Sequence, residues 1–560
     1  MRPHDLLRTA LLCSLVWSLD AHSPPIMLPF YGCMHDVTAV ASWHPGGASI
    51  LRHAASLRLP DATAVFESMH ALRDPHEMRR KLRPYRRCAT SQSQMPNATG
   101  TDIHSSGTAR SPQLYTFSDH GFYRTVRRRV AAVLGKQQPD SHKGGGLAMT
   151  KALVFGACAA GLLFGSVRAS GLLQSSLLAF AAGWVAFAGI GFNLLHDASH
   201  YALFHRNAGH NELASRVAAR LIYWDHSSWQ AHHVLGHHIY TGDPLLDPDV
   251  THGQPYFCKL SRREAYSCNA HTPTGQFLLA LAGLWLGQAT QYHRSRWAGF
   301  REAGVEPGFP ATRRVTGDHA RVPPEYVGAS QRSGLFRMRG IEDRPWTWWE
   351  VCLAMWLPLW LIAVWAGALE RWRWRVQARI DRRTSLDLDL CQRGAGGQLG
   401  RRPKSWSQRC GSWVGHPRDM AHVCRLLSTP MCLVLGLGLC YSINILPNHD
   451  AFESHRSVSN TTCSSDWGEV QARGTANFAG AAWSFLFGGI NYQIEHHLFP
   501  TIHHRFYPQI SAVVRATAAE YNVPYLHFST PVDALGDVLA QFRLAAHSAE
   551  GRPHGFVPGR

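Results

Sequence analysis

Four stretches of the chain are apolar for long enough to cross a membrane as helices. They are residues 149–168, 172–195, 348–369 and 424–446. A bilayer core of about 30 Å needs about 20 apolar residues in a helix. A turn of a few residues separates the first two stretches, so they predict an antiparallel hairpin, and the last two predict a second. Two shorter apolar runs, 276–290 and 478–490, predict interfacial or re-entrant segments. The pattern indicates a mostly α-helical integral-membrane protein with about four spans.

Polar segments separate these apolar stretches. Residues 296–345 and the arginine-rich residues 371–423 predict disordered insertions, and residues 89–113, rich in Ser, Thr, Gly and Pro, predict a flexible linker. From Leu114 to Lys136, apolar residues recur near helical spacing among arginines. This pattern predicts a basic amphipathic helix on the bilayer surface, or alternatively a surface helix packed on the preceding domain.

Histidines cluster at three places, each beside a long apolar segment, and we call these clusters the histidine boxes. The boxes contain His196 and His200, then His233, His237 and His238, and finally His496 and His497. Neutral imidazole is the commonest nitrogen ligand for iron, copper and zinc. The boxes contain no cysteine, which argues against a thiolate-ligated zinc or iron–sulfur site. Because two hairpins return the chain to the same side, we expect the boxes to meet in one metal centre.

Two further side chains are candidate ligands of this centre. Gln493 precedes His496 by three residues, and its amide oxygen could ligate weakly or through water. His449 follows the fourth apolar stretch, where an interfacial capping role is the alternative. The seven box histidines, with His449 as a possible eighth, are too many for one octahedral ion, so we predict two non-haem iron ions. Such a centre can activate O2 and attack an unactivated C–H bond. Asp197 could orient a ligand, whereas His503 and His504 fall outside the spacing and are predicted not to bind.

A second kind of histidine pair lies near the N-terminus. His44 stands in a Trp-His-Pro-Gly-Gly turn, and His70 follows an apolar helical run. Proline and glycines fix a tight turn and let the backbone approach a macrocycle closely. Two such histidines could hold a haem b from both faces, which leaves no open iron position, so the haem would transfer electrons. We therefore predict a small α+β haem domain over residues 31–88 and leave residues 1–30 unassigned.

Composition excludes several other classes of function. The chain has 56 Lys+Arg against 38 Asp+Glu, a formal net charge of +18. This excess is typical of nucleic-acid-binding proteins or of proteins on an anionic membrane surface. The apolar stretches favour the membrane, and we find no nucleic-acid motif, so no nucleic-acid partner is expected. The 13 cysteines include no Cys-x-x-Cys pair, so they indicate neither a disulfide framework nor a zinc ribbon.

The combined motifs resemble a known family. His-x3-His, His-x3-His-His and Gln-x2-His-His follow a His-Pro-Gly-Gly domain, as in the front-end membrane fatty acid desaturases with a fused cytochrome b5-like domain. Asp466-Trp467-Gly468-Glu469 and Leu498-Phe499-Pro500 add to the similarity. The resemblance implies that the seven box histidines bind iron, that Gln493 marks the front-end subclass, and that His44 and His70 bind haem. The desaturase domain would extend over residues 114–545, followed by a tail at 546–560.

The resemblance also implies a reaction and its partners. A cis double bond would be introduced between an existing double bond and the carboxyl end of a polyunsaturated acyl chain, carried by a lipid or by coenzyme A. O2 would be consumed, and electrons would come from NADH through cytochrome b5 reductase and the fused haem. The expected location is the endoplasmic reticulum membrane, with the haem domain and the boxes facing the cytosol. The alternatives are a sphingolipid long-chain-base desaturase, an acyl hydroxylase, and a catalytically inactive membrane haem protein that transfers electrons.

Overall fold

The structure is a computed structural model. It describes residues 24–57, 59, 61–87, 114–135, 142–205, 208–242, 247–251, 274–286, 348–393, 417–459 and 466–547. The predicted linker at 89–113 lies outside the described residues, and so does the predicted insertion at 296–345.

Residues 24–87 form a small α+β unit, which we call the N-terminal unit. Its elements, in chain order, are β1 (Met27–Phe30), β2 (Cys33–Asp36), α1 (Gly47–Ser56), α2 (Thr63–Met69) and α3 (Pro75–Leu82), with 3-10 turns at Thr38–Ser42 and Arg83–Tyr85. The two strands pair antiparallel. Pro75 opens α3, and the Asp74 side chain accepts a hydrogen bond from the backbone N–H of His76, an ordinary N-terminal cap.

The N-terminal unit begins earlier than the predicted boundary at residue 31. Met27–Phe30 is a strand, and Tyr31 and Gly32 both have positive φ angles, of 52° and 72°. Two consecutive residues with positive φ form the tight turn whose twist suits a β-hairpin. Tyrosine is uncommon in that conformation, so Tyr31-Gly32 does not match the usual turn pairs and the hairpin was missed.

The rest of the described chain is almost entirely helical, as predicted. Its elements are α4 (Phe122–Leu134), α5 (Gly145–Arg168), α6 (Leu172–Ser199), α7 (Ala208–Leu221), α8 (residues 226–240), α9 (Pro248–Thr251), α10 (Thr274–Leu286), α11 (Trp348–Ala354), α12 (Trp356–Arg393), α13 (Pro417–His449), α14 (Phe452–Ser459), α15 (Trp467–Arg473), β3 (Asn477–Phe478), α16 (Ala481–Leu486), α17 (Gln493–Leu498), a 3-10 turn at His504–Phe506, α18 (Tyr507–Glu520), β4 (His527–Phe528) and α19 (Pro531–His547). The short strands β3 and β4 pair in parallel.

Three helical segments in the described part of the chain are long and apolar enough to cross a membrane. They are Gly145–Arg168, Leu172–Ser199 and Leu427–His455. These segments agree with three of the four predicted spans. Large apolar side chains on their outer faces, such as Leu153, Phe164 and Leu173, are exposed, as expected of surfaces that contact lipid. The protein is therefore a membrane protein by the length and composition of these helices.

The other predicted span and the insertion after it need correction. Residues 348–369 are divided between α11 and α12, and the apolar part of α12, Trp356–Gly367, is shorter than a span. The predicted disordered insertion begins inside α12, which continues to Arg393. Arg, Leu, Ala and Gln are good helix formers, and no glycine or proline interrupts residues 371–393. Scattered arginines and serines before the glycine-rich stretch at 394–397 were therefore a poor indication of disorder at 371–393.

Helix α4 lies inside the protein, so its prediction as a bilayer-surface helix is wrong. Phe122, Tyr123, Val126 and Val130 are fully buried. The helix packs against α18 and contacts the N-terminal unit through Arg124. The alternative of a helix packed on the preceding domain describes it better. Arg124 and Arg127 of this helix are buried and form ion pairs. A helical pattern cannot distinguish such arginines from solvated ones.

The spans α6 and α13 pack with their backbones almost in contact. A Cβ atom built on Gly183 would lie 2.3 Å from the carbonyl oxygen of Leu433, and one built on Gly436 would lie 2.1 Å from that of Phe180. Small residues permit such close helix packing in membranes. These two glycines therefore fix the distance between the two spans whose ends carry His196 and His449.

We predict that Gly436→Ala destabilises the protein by roughly 1–3 kcal/mol, because the added methyl group forces the two spans apart. The measurement is thermal unfolding of the purified protein in detergent. Gly161→Ala on α5 is the matched control, since a Cβ atom there meets nothing within 4 Å. Equal melting temperatures for the two variants would contradict the proposed close contact.

Candidate metal centre

The ends of three long elements and one short helix meet at a single buried centre. His196 lies at the end of a π-helical segment, Phe187–His196, within α6. A second π-helical segment, Gln230–His237, carries His233 and His237 within α8. π-helical turns are rare and occur frequently at functional sites. In α6 the Asn193 side chain donates a hydrogen bond to the carbonyl oxygen of Ala188, 2.7 Å away, which supports the widened turn.

The third box reaches the centre through a turn that needs glycine. Gly488 and Gly489 have φ angles of +65° and +70°, which other L-residues rarely adopt. A Cβ atom on Gly488 would lie 2.5 Å from the carbonyl oxygen of Phe192, and one on Gly489 would lie 2.3 Å from Cβ of His504. The turn thus presses directly on the helix of the first box, and α17 follows it with His496 and His497 on a buried surface.

All seven box histidines are buried and lie together with His449. Close nitrogen pairs are His196 Nε2 to His496 Nε2 at 3.1 Å, His238 Nε2 to His496 Nε2 at 3.0 Å, His233 Nε2 to His238 Nε2 at 3.4 Å, and His237 Nε2 to His449 Nε2 at 3.1 Å. The His200 ring centroid is 5.0 Å from those of His196 and His233. Two nitrogens bound at right angles to one ion lie about 3 Å apart when each metal–nitrogen bond is about 2.1 Å. The spacing therefore suits ligands that share metal ions.

The histidines divide into overlapping groups that could each hold an ion. One group is His196, His200, His233 and His496, another is His237, His449 and His497, and a third joins His238 to His496 and His497. The third group lies between the other two through the residues it shares with them. This arrangement suits two neighbouring ions better than one.

Several ring nitrogens at this centre are buried without a hydrogen-bond partner among the described residues. They include both nitrogens of His200 and Nε2 of His497. Burial, with the neighbouring imidazoles as a second cause, holds the pKa of His233, His238 and His497 well below the ordinary value. The rings are therefore neutral, and their lone pairs are available for metal ligation. An orphaned buried nitrogen costs free energy unless something binds it.

On three rings of the centre, His237, His449 and His497, the Nδ1 atom contacts a hydrogen-bond acceptor. Nδ1 of His237 is 2.9 Å from Oδ1 of Asp247, and Nδ1 of His449 is 3.1 Å from the carbonyl oxygen of Gly474. Nδ1 of His497 is 2.8 Å from Oε1 of Gln471. An N–H donated from Nδ1 leaves the Nε2 lone pair facing the centre, which is the usual support for metal-bound histidine. Sequence reasoning missed Gln471 and Gly474 because they lie outside every box.

Gln493 and His449 are adjacent at the edge of the centre. The amide nitrogen of Gln493 is 3.0 Å from Nε2 of His449, and its amide oxygen is buried without a hydrogen-bond partner among the described residues. Rotating the Gln493 amide by half a turn would put its oxygen where its nitrogen now lies, beside Nε2 of His449. Both predicted additional ligands are thus within reach of the His237 group. His232, which directly precedes the first histidine of the second box, hydrogen-bonds to Asp249 instead of facing the centre.

Asp197, His503 and His504 form a separate buried cluster beside the first box. Oδ2 of Asp197 is 2.6 Å from Nδ1 of His504 and 3.3 Å from Nε2 of His503. Its other oxygen is 3.8 Å from Nδ1 of His196, too far for a hydrogen bond. The carboxylate therefore contacts the two histidines that follow the third box more closely than the ligand it was predicted to orient.

The two N-terminal histidines face each other inside the N-terminal unit. The ring centroids of His44 and His70 are 6.1 Å apart. Imidazoles on opposite sides of one iron have ring centres about 6 Å apart, since each metal–nitrogen bond is about 2 Å. Nδ1 of His70 lies 2.7 Å from the carbonyl oxygen of Phe66, and Nδ1 of His44 lies 3.3 Å from that of Gly47. Burial lowers the pKa of His70 to about 4. The Nε2 atoms of both rings have no hydrogen bond within the described part of the chain, so the two neutral rings could hold the iron of a haem.

Comparison with known proteins supplies the family. A family model described as "Fatty acid desaturase" matches residues 173–380 and 344–529, a region that includes all three boxes. The chain belongs to the fatty acid desaturase family. Membership makes it an oxidoreductase, and a di-iron centre is what the family implies for a cluster of this kind.

Long alignments to named desaturases agree with this membership. The chain is 24% identical to the acyl-lipid (8-3)-desaturase of Mortierella alpina over 541 residues, which cover 94% of this chain and 95% of the relative. It is 23% identical to the chloroplastic acyl-lipid (7-3)-desaturase of Chlamydomonas reinhardtii over 90% of this chain and 78% of that protein. Acyl-lipid (8-3)-desaturase B of Dictyostelium discoideum is 22% identical over 90% of this chain and 87% of its own length.

We predict that Gln471→Met weakens iron binding about 10–100-fold, because His497 loses the acceptor that fixes its tautomer and ring orientation. The measurement is iron content after equilibration at graded free Fe²⁺ concentrations. Gln509→Met is the control, since Gln509 is an exposed residue of α18. Wild-type iron affinity in the Gln471 variant would mean that the hydrogen bond has no role in holding the ligand.

Proposed function

We propose that this desaturase uses two iron ions, held by the box histidines and His449, to introduce a double bond into a fatty acyl chain with O2. The observation that carries the proposal is the convergence of buried, neutral imidazole nitrogens about 3 Å apart. A pair of irons in such a site supplies the O2 activation that acid–base side chains cannot. The protein's contribution is to position the ligands and to exclude water from the reacting centre.

Each ion would have its own set of histidines. His196, His200, His233 and His496 would hold one ion, and His237, His449 and His497 the other, with His238 between them. Gln493 would complete the second set through its amide oxygen. Asp247, Gln471 and the carbonyl of Gly474 would keep the Nε2 atoms directed inward. Tyr507 would do the same for His496, whose Nδ1 lies 3.1 Å from the tyrosine hydroxyl.

We further propose that the substrate is a polyunsaturated acyl chain carried by a lipid and that the new double bond forms on the carboxyl side of an existing one. Two arguments support this choice. Gln493 begins the third box in the position that marks the front-end subclass. The relatives that align along most of the chain are named as acyl-lipid desaturases. The centre would lie at the cytosolic rim of the endoplasmic reticulum membrane, near the ends of the spans that carry His196 and His449.

The N-terminal unit would act as the electron donor by binding haem b between His44 and His70. The free Nε2 atoms and the separation of the two rings support this role. A haem with two histidine ligands offers no site for O2 and transfers electrons only. NADH, through cytochrome b5 reductase, would reduce it from the cytosolic side.

The direct test of the reaction is expression in yeast fed a panel of polyunsaturated fatty acids, followed by gas chromatography and double-bond mapping. New double bonds on the carboxyl side of existing ones are the expected result. Desaturated long-chain bases or hydroxylated acids instead would replace the proposal with one of its alternatives. Unchanged lipids, in cells whose purified protein contains iron and haem, would contradict it.

We predict that His496→Ala or His497→Ala abolishes desaturation and lowers the non-haem iron content while the haem spectrum stays unchanged. Each substitution removes a nitrogen from a shared group, and both residues are far in sequence from His44 and His70. Iron analysis, absorption spectra and product analysis measure the three properties. His527→Ala, at the β3–β4 pair outside every metal group, is the control. Retained activity in the box variants would remove the third box from the centre.

We predict that His44→Ala removes the b-type spectrum and, without added cytochrome b5, lowers desaturation by at least tenfold, as expected when the electron donor loses an axial ligand. Free cytochrome b5 added to the membranes should restore part of the activity, because the iron centre is intact. Normal turnover in this variant without a free donor would show that the N-terminal unit is not the electron source.

A further inference from the structure

A buried carboxylate of the N-terminal unit is held by two arginines of the desaturase domain. Glu67 lies on α2, one helical turn before His70, and is almost completely buried. Its Oε1 is 2.5 Å from Nη2 of Arg124, and its Oε2 is 2.5 Å from Nη1 of Arg127. Both arginines belong to α4 and are themselves buried. Buried charges are tolerated only when they are paired and hydrogen-bonded, and separating them is strongly unfavourable.

Arg127 also binds the backbone that follows His70. Its Nη2 donates to the carbonyl oxygen of His70, 2.6 Å away, and to that of Arg73, while Nε donates to the carbonyl oxygen of Ala71. Together with Glu67, these contacts use four hydrogen bonds of one planar guanidinium, a geometry that lysine cannot reproduce. One side chain of α4 therefore fixes the turn that contains the proposed haem ligand.

Tyr123, which precedes Arg124 on α4, links this turn to the third histidine box. The hydroxyl of Tyr123 is 3.3 Å from the carbonyl oxygen of Glu67 and 3.5 Å from that of Leu498, the residue after His497. Tyr123 is fully buried, with its ring edge-on to Trp467 at 4.7 Å between centroids. A second contact between the two parts joins Nδ1 of His53 to Oε1 of Gln230, 3.1 Å apart, at the start of the second box.

We propose that Glu67, Tyr123, Arg124 and Arg127 form a fixed docking interface that holds the N-terminal unit against the third histidine box during electron transfer. The inference rests on the proposed function, since it assumes haem in the N-terminal unit and iron in the boxes. The haem would give up one electron for each one that the iron centre accepts, and NADH, through the reductase, would resupply the haem. The four side chains act as positioning residues.

The opposing arrangement is a tethered unit that leaves its place to collect each electron. Every departure would separate two buried guanidinium groups from their carboxylate and leave Glu67 with Tyr31 and Arg79 of its own unit. It would also break the contacts of Arg127 with three carbonyls. Separating the partners of a buried ion pair is strongly unfavourable, and this interface is centred on such a cluster beside the fully buried Tyr123. The reductase would therefore have to reach the haem while the N-terminal unit stays in place.

The experiment uses the full-length protein in lipid nanodiscs, with Glu67→Gln, Arg127→Gln and the double variant. Arg129→Gln is the matched control: it lies on the same helix and pairs with Glu520, with both side chains substantially exposed at 41% and 53%. Two quantities are measured: the amide hydrogen exchange of residues 63–73, and the rate at which reduced haem is reoxidised in a single turnover with substrate and O2. Haem content is recorded for each variant.

We expect both single variants to exchange residues 63–73 faster and to reoxidise haem at least about tenfold more slowly. Glu67→Gln leaves two buried guanidinium groups without their carboxylate, and Arg127→Gln removes one of the two ion pairs of Glu67 with α4. The double variant should be no slower than the slower single variant, since both substitutions remove one shared interaction. Arg129→Gln should match the wild type in both measurements. Faster exchange with wild-type reoxidation would overturn the proposal, as would unchanged exchange, because the interface would then not hold the unit.

Tyr123→Phe keeps the test decisive if the charge variants lose haem or fail to fold. It retains the aromatic ring and every ion pair and removes only the hydroxyl between Glu67 and Leu498. We expect full haem content, faster exchange of residues 63–73 and reoxidation about threefold slower, the scale of one lost hydrogen bond. Wild-type exchange and reoxidation would count against the interface. Absence of haem, or of any substrate-dependent reoxidation, in the wild type would instead contradict the proposed function.

Discussion

The structure depends on one electrostatic constraint: many neutral imidazoles turn their lone pairs toward each other inside a closed space. Asp247, Gln471 and the carbonyl of Gly474 accept hydrogen bonds from Nδ1 of three histidines. These are His237, His497 and His449, respectively. The Nε2 lone pairs that remain are about 3 Å from one another. Lone pairs at that distance repel, and burial denies them water. Cations between them would convert this repulsion into ligation, so the arrangement makes physical sense as a metal centre.

Holding those rings in place explains features of the fold that otherwise lack a purpose. Helices α6 and α8 contain π-helical segments where the first two boxes begin. The third box is delivered by two glycines with positive φ that press on α6. The spans set the positions of His196 and His449. Helix α15 contributes Gln471, which hydrogen-bonds to Nδ1 of His497. Most of the geometry of the centre is therefore supplied by backbone shape rather than by the histidine side chains themselves.

Sequence reasoning identified the histidines that meet in the centre more readily than the residues that support them. The box histidines repeat at short spacing beside apolar stretches, so residue type and position identify them without a fold. Gln471 and Asp247 are ordinary polar residues whose partners are distant or unremarkable in the sequence, and only folding brings them to the rings. The hairpin at Tyr31 was missed because tyrosine rarely adopts positive φ. Helix α4 was misassigned because Arg124 and Arg127 are buried in ion pairs with Glu67, a residue nearly sixty positions away.

The contact between α6 and α13 also restricts how a lipid substrate can arrive. At Gly183 and Gly436 the two backbones leave no space even for one additional methyl group. A methylene chain is wider than that gap, so the seam between these spans is sealed to acyl tails. The hydrocarbon must reach the histidine centre along another wall of the protein, and the shape of that wall will decide which carbon atoms stop beside it.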